Sequence, residues 1–110
     1  MSIRKETEAD IQKSVIAHLE TMGYYVFSVP NEARRSYGLA KRLKATGMKA
    51  GVADLVVLGC GEVFFIEVKS KTGKQQSTQK AFQDEVEKRG LKYILARSID
   101  DLTFLKRCIV

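Results

Sequence analysis

An α/β fold, a mixed β-sheet flanked by helices, is the architecture this sequence predicts. Three observations carry it. Apolar residues recur at helical spacing in two separate stretches, near residues 8–22 and 78–89. Two β-branched apolar runs lie between them, joined by a turn rich in glycine. The resulting element order, α-β-(basic helix or loop)-β-β-α-β-α, interleaves helices and strands along a chain of 110 residues, the length of one domain spanning 1–110.

The first helix is announced by Thr7-Glu8-Ala9-Asp10, a hydroxyl residue followed three places later by an acid. Ile11, Val15, Leu19 and Met22 then form its apolar stripe, and Gly23 supplies a stop. Glu8 falls on the apolar side of the first turn. There it either answers the helix dipole or serves a site. Residues 24–29 (YYVFSV) form a strand closed by Pro30-Asn31. From Arg34 to Lys49 there are six positive charges, Arg34, Arg35, Lys41, Arg42, Lys44 and Lys49, and no acid. Such a run is either a solvated face or a surface for phosphates, and Tyr37 interleaves with it.

The central runs make a hairpin if Cys60-Gly61 is its two-residue loop. In that register Gly59 faces Glu62, Leu58 faces Val63 and Asp54 faces Glu67. Two carboxylates then share one face with Lys69, because strand side chains alternate with period two. Like charges placed opposite each other cost about 0.2–1 kcal/mol, whereas a divalent cation bound between them reverses the sign. The other reading is a carboxylate at a frayed strand end paired with Lys69.

Beyond the hairpin, residues 70–76 connect to a helix beginning at Ser77 or Thr78, with Gln79, Phe82 and Val86 on one face and Gly90 as its stop. Gln79 is there a capping or surface residue, or a group facing a site. A strand over 91–97 puts Tyr93 and Leu95 on one face and Ile94 and Ala96 on the other. Ser98-Ile99-Asp100-Asp101 repeats the capping signature, and Ile99, Leu102 and Leu105 predict a short final helix.

Nineteen Lys plus Arg against 13 Asp plus Glu leave a net charge of +6, which favours nucleic acid or another polyanion as partner. Acids interrupt the apolar runs well short of a membrane span, and residues 1–5 lack the apolar core of a signal peptide. Cys60 and Cys108 have no CxxC spacing and His18 is the only histidine, so neither a zinc site nor a disulfide framework is expected. Two incidental thiols in a reducing cytoplasm is the reading they support.

Gly51-Val52-Ala53-Asp54-Leu55 followed by Phe65-Ile66-Glu67-Val68-Lys69 resembles the PD-(D/E)xK restriction-endonuclease-like core. More narrowly it resembles the virus-type replication-repair nuclease (VRR-NUC) domain. Glu8, Pro30-Asn31-Glu32, Met48-Lys49-Ala50-Gly51 and Gln79 match further pieces, and the likeness covers residues 6–102. Ala53 stands where the superfamily pattern has proline, a residue that ligates nothing. The resemblance implies Mg²⁺, with Mn²⁺ substituting, held by Asp54, Glu67, the backbone carbonyl of Val68 and Glu8 directly or through water. It gives Lys69 the task of orienting or activating water and turns Gln79 toward the active site.

The activity implied is structure-specific cleavage of DNA, with four-way (Holliday) junctions and a homodimer expected for a stand-alone, phage-type member. A flap nuclease, or a non-catalytic DNA-binding module on the same fold, is the alternative. Phe104, Leu105, Ile109 and Val110 are candidate interface residues, and the expected location is the cytoplasm, that of the bacterial host for a phage- or prophage-encoded chain.

Overall fold

The computed structural model describes residues 5–30 and 37–108. In chain order the elements are α1 (Glu8–Thr21), β1 (Tyr25–Ser28), α2 (Tyr37–Ala45), β2 (Leu55–Gly59), β3 (Glu62–Val68), α3 (Ser77–Lys88), β4 (Lys92–Ala96) and a 3₁₀ turn (Ile99–Leu102). Arg34, Arg35, Asn31, Glu32, Ile109 and Val110, all singled out above, lie outside the described residues, as does the side chain of Tyr37.

The sheet runs β1-β2-β3-β4. β1 and β2 pair antiparallel, as do β2 and β3, and β4 lies parallel to β3. A parallel neighbour needs a crossover too long for a tight turn, and α3 is that crossover. The β2–β3 register runs from Gly59 opposite Glu62 to Leu55 opposite Ile66, as the alternation of apolar residues predicts. Cys60 (φ 55°) and Gly61 (φ 75°) both have positive φ, the geometry of the hairpin turn that matches strand twist.

Period two divides β3 cleanly. Phe64, Ile66 and Val68 pack with Ile11, Val15 and Leu19 of α1 and with Leu102 and Leu105. Phe65 belongs to a smaller cluster on the other face with Ala53, Phe82, Val86 and Tyr93. Glu67 shares that second face by alternation. At the start of α1, Thr7 Oγ1 accepts from the Asp10 N–H (3.1 Å) while the Thr7 N–H donates to Asp10 Oδ2 (3.1 Å). Such a cap contributes about 1 kcal/mol, whereas each fully buried Leu, Ile or Val contributes about 1.5–3 kcal/mol, so packing of the stripe is what holds α1.

The end of the chain departs from the expectation of a helix. Ser98 does cap, its Oγ accepting from the Asp100 N–H (3.2 Å), but only one 3₁₀ turn forms. Asp101 turns back to accept the Arg97 N–H (2.8 Å), and Ile99 stays 42% exposed while Leu102 and Leu105 are buried. Residues beyond it run along the α1–β1 junction, where the Cys108 N–H donates to Met22 O (2.7 Å) and Tyr24 OH donates to Lys106 O (2.6 Å). Leu105 is therefore core rather than interface. Both cysteines are free thiols, and the Cys60 N–H donates to Cys108 Sγ (2.8 Å).

Cys60 occupies a backbone region that asparagine tolerates better. Cys60→Asn is expected to stabilise the fold by about 0.5–1 kcal/mol. Urea unfolding checks this, and an unchanged or lower midpoint would show that the thiol contributes more than the turn strain costs.

Candidate metal and active site

The candidate residues come together where β2 begins and β3 ends. The ladder closes at Leu55 and Ile66, and Asp54 is the next residue out. Its carbonyl accepts the Val29 N–H (2.8 Å), and its Oδ2 accepts the Val68 N–H (2.7 Å). The Asp54 side chain thus crosses to β3 and occupies the backbone donor next to Glu67. Neither carboxylate makes an ion pair with Lys69 within 4.0 Å, so the frayed-end pairing is not what forms among the described residues.

Glu67 is 1% exposed, and both its carboxylate oxygens are buried without a hydrogen-bond partner. A buried ionised carboxylate in that state is costly, so the group takes up a proton. Burial first, and then the neighbouring Asp54 carboxyl, push the Glu67 carboxyl up to about 8, against a smaller downward pull from Lys69. Tyr93 responds to the same potential. Burial, then the charge of Glu67, raise its hydroxyl to about 12.

A cavity of about 400 Å³ opens at this point, lined by Glu8, Ala50, Gly51, Val52, Asp54, Val68, Lys69, Gln76, Thr78 and Gln79. Gly51 has φ 79°, and a Cβ there would run into the carbonyl of Thr78. That close approach locks the loop carrying Asp54 against the start of α3. Lys69 is 9% exposed and lines the same cavity. Gln79 Oε1 accepts the Gln76 N–H (2.8 Å), so the capping reading of this glutamine holds for its oxygen while the residue also faces the cavity.

Glu8 is treated differently by the structure. The burial of Ile11, Val15 and Leu19 turns α1 so that its first residue is exposed at the cavity rim. Among the described residues no three or more of His, Cys, Asp and Glu draw together closely enough to hold a metal ion. Glu8 is thus not drawn together with Asp54 and Glu67 in this arrangement. Asp54 lines the cavity and Glu67 does not, its carboxylate being enclosed behind it; a hard divalent cation reaching both would give the Glu67 oxygens the partner they lack. Lys41, Arg42, Lys44 and Lys49 are exposed, the first three on α2. A larger, mostly apolar groove of about 710 Å³ adjoins the cavity across Ala50, Val52 and Thr78, but neither carboxylate nor Lys69 reaches it.

With this geometry, the comparison with known proteins is specific. The VRR-NUC domain family matches residues 6–100. The chain belongs to that family. Two solved structures share its fold. One, a "VRR_NUC domain", superposes with TM-score 0.64 at 24% identity over 90% of this chain and 94% of the other. The second, a "VRR_NUC domain protein", gives 0.67 at 23% identity over 90% and 84%. No curated protein matches at a significant level. VRR-NUC proteins are nucleases that process DNA, and no described helix of this member is long and apolar enough to cross a membrane.

One residue that shapes this VRR-NUC site left no trace in the sequence reading. Arg97 Nη1 donates to Ser70 O (2.6 Å) and Gly73 O (2.7 Å), clamping the turn that follows Lys69. A methyl group at Gly73 would lie 3.6 Å from Lys69 Cδ, so this turn packs on the lysine stem. An arginine at the end of a strand gives no sequence signal of such a contact, since its partners are backbone carbonyls more than 20 residues away.

The raised Glu67 carboxyl has a consequence for stability. A glutamate in the unfolded chain titrates at about 4.3. Between there and about 8 the folded protein holds a proton that the unfolded chain has released, so stability of the metal-free protein falls as pH rises through that window. Thermal melts in EDTA are expected to show a Tm that declines from about pH 5 to about pH 8, and Glu67→Gln is expected to flatten the decline. A wild-type Tm that rises across this range would contradict the assignment.

Proposed function

We propose that this VRR-NUC chain is a divalent-metal-dependent, structure-specific DNA endonuclease that resolves four-way junctions as a homodimer. The observation that carries the metal-dependent part is the pair of orphaned Glu67 oxygens beside Asp54. A completely buried carboxylate with nothing to bind is a stability cost that a resident cation removes.

The ligands would be Asp54, Glu67 and the carbonyl of Val68, with Mg²⁺ or Mn²⁺ as the ion and Glu8 acting through water from the rim. When bound, the ion supplies a water of lowered pKa and neutralises charge at the phosphorus. The chain's own groups do the rest. Lys69, enclosed and without an ion pair, orients the attacking water and holds negative charge as it builds on the phosphate oxygens. Asp54 keeps its place at the cavity wall through the Val68 N–H. Lys41, Arg42, Lys44 and Lys49, with Arg34 and Arg35, contact backbone phosphates, which gives affinity without reading sequence. Junction resolution requires two nicks related by a two-fold axis, and a symmetric dimer presents two such sites. Phe104, 58% exposed, is available to an interface.

Asp54→Asn keeps the acceptor for the Val68 N–H and removes one charge. Cleavage is expected to fall by about 10³-fold, the scale of several kcal/mol of charge stabilisation, while the metal-free Tm is unchanged or higher. Unfolding of this variant would make Asp54 a structural residue instead.

Labelled four-way junctions incubated with Mg²⁺, Mn²⁺ or EDTA should show paired symmetric nicks with either metal and none with EDTA. Sedimentation should return a dimer. A monomer that cuts only flaps would replace the junction reading with the flap-nuclease one, and binding without any cleavage would leave a DNA-binding module.

A further inference from the structure

We propose that Cys60 and Cys108 form a thiol–disulfide site, closing an intramolecular bond when a small disulfide oxidant of the glutathione type reaches the β2–β3 turn. The site is independent of the nuclease reading. It lies at the turn end of the hairpin, whereas Asp54 and Glu67 lie where β2 begins and β3 ends.

The fold brings together two thiols that stand 48 residues apart in the chain. The Cys60 N–H donates to Cys108 Sγ (2.8 Å), which holds the two α-carbons within about 7 Å of each other, near the upper end of what a disulfide spans. Cys108 is fixed in place. Its N–H donates to Met22 O (2.7 Å), and its carbonyl packs directly on Gly23, where no Cβ would fit. Its sulfur lies 3.1 Å from where a Cβ on Gly59 would stand. Cys60 is exposed in the turn instead, and rotation about its χ1 carries its sulfur toward the enclosed one. At that spacing a bond between the sulfurs needs no large backbone movement.

Access decides the order of events. Cys108 is buried, while Cys60 opens onto a cavity of about 330 Å³. Lys92 and Lys106 line that cavity against one carboxylate, Glu62, so an oxidant carrying carboxylates is favoured there. A hydrogen bond with the Cys108 thiol first, and then partial enclosure, push the Cys60 thiol up. Fewer Cys60 thiols are therefore ionised at neutral pH, and those that are attack more readily.

The Cys60 thiolate attacks one sulfur of oxidised glutathione, whose S–S bond breaks. One glutathione leaves as a thiolate and takes up the proton that Cys60 released. Cys108 then gives up its proton and attacks the Cys60 sulfur, expelling the second glutathione. Two protein thiols are oxidised and one external disulfide is reduced to two thiols. The closed bond ties the hairpin turn to the last described residue, across a span that contains β3, α3 and β4. It removes freedom from the unfolded chain and leaves the Asp54 end of the hairpin untouched.

The test incubates the full chain with oxidised glutathione in EDTA and measures intact mass. A loss of two hydrogens with no glutathione retained is expected, and peptide mapping is expected to link Cys60 to Cys108. Closure is expected to raise the Tm by on the order of 10 °C, with dithiothreitol reversing the shift. Cys108→Ser is expected to stop at one glutathione on Cys60, and Cys60→Ser to take up none. The double variant Cys60→Ser, Cys108→Ser is expected to show no shift in Tm with the oxidant.

Glutathione retained on the wild-type chain, or covalent dimers through Cys60, would overturn the proposal. A closed monomer whose Tm is unchanged or lower would overturn it too, by showing that the bond forms only at the expense of the packed segment. These wild-type measurements decide the matter even where a variant fails to fold. Absence of DNA cleavage with every metal would sink the nuclease reading and leave each of these outcomes unchanged.

Discussion

A carboxylate buried beside a second carboxylate is the constraint around which this structure is arranged. Glu67 sits at the end of β3 with both oxygens enclosed and unpartnered. Asp54 is close enough to raise its proton affinity but spends its own hydrogen-bonding oxygen on the Val68 N–H. Lys69 is near enough to pull in the opposite direction without forming a contact pair. Each obvious partner is thus engaged elsewhere or held off. A fold selected for stability alone would replace such a group by an apolar side chain, since a buried polar group without a good partner costs free energy that an apolar one does not.

The rest of the architecture serves to keep that group where it is. The register of β2 on β3 brings Asp54 level with the end of β3. The parallel pairing of β4 on β3 continues past the last residue of β3, with the Lys69 N–H donating to Ala96 O (3.0 Å), so that Lys69 emerges from an ordered backbone. Gly51 lets the loop before Asp54 press on the carbonyl of Thr78, and Arg97 gathers the carbonyls of the turn after Lys69. These contacts tie both approaches to the site to α3 and β4, whose Val86, Phe82 and Tyr93 pack on the same face as Glu67.

The basic segment stands apart from this. Among the described residues α2 makes no close approach to another helix or strand, and its cations are exposed. Its Leu39 and Leu43 stand one turn apart, with Leu39 41% exposed. Phosphate contacts along a polyanion ask only for exposed charge on an element that reaches outward, which α2 provides.

Local rules were legible in the sequence. The hairpin register follows from alternation and a two-residue loop, and the ends of α1 from Thr7, Asp10 and Gly23. What the sequence could not decide depends on contacts between distant segments. That Ser98 to Leu105 makes only one 3₁₀ turn, with Leu102 and Leu105 in the core, is a property of the packed chain. The rotation of α1 that leaves Glu8 at the rim is set by how Ile11, Val15 and Leu19 meet β3. Arg97 as a clamp, the pressing of Gly51 on α3 and the unpaired state of Glu67 have no local signature, because each exists only once backbone carbonyls and side chains from separate elements meet. Which residues alternate, cap and turn is written into short stretches of chain, since those are interactions across a few residues. Which polar groups are satisfied and which are left without partners follows from packing, since burial and distance are properties of the folded chain.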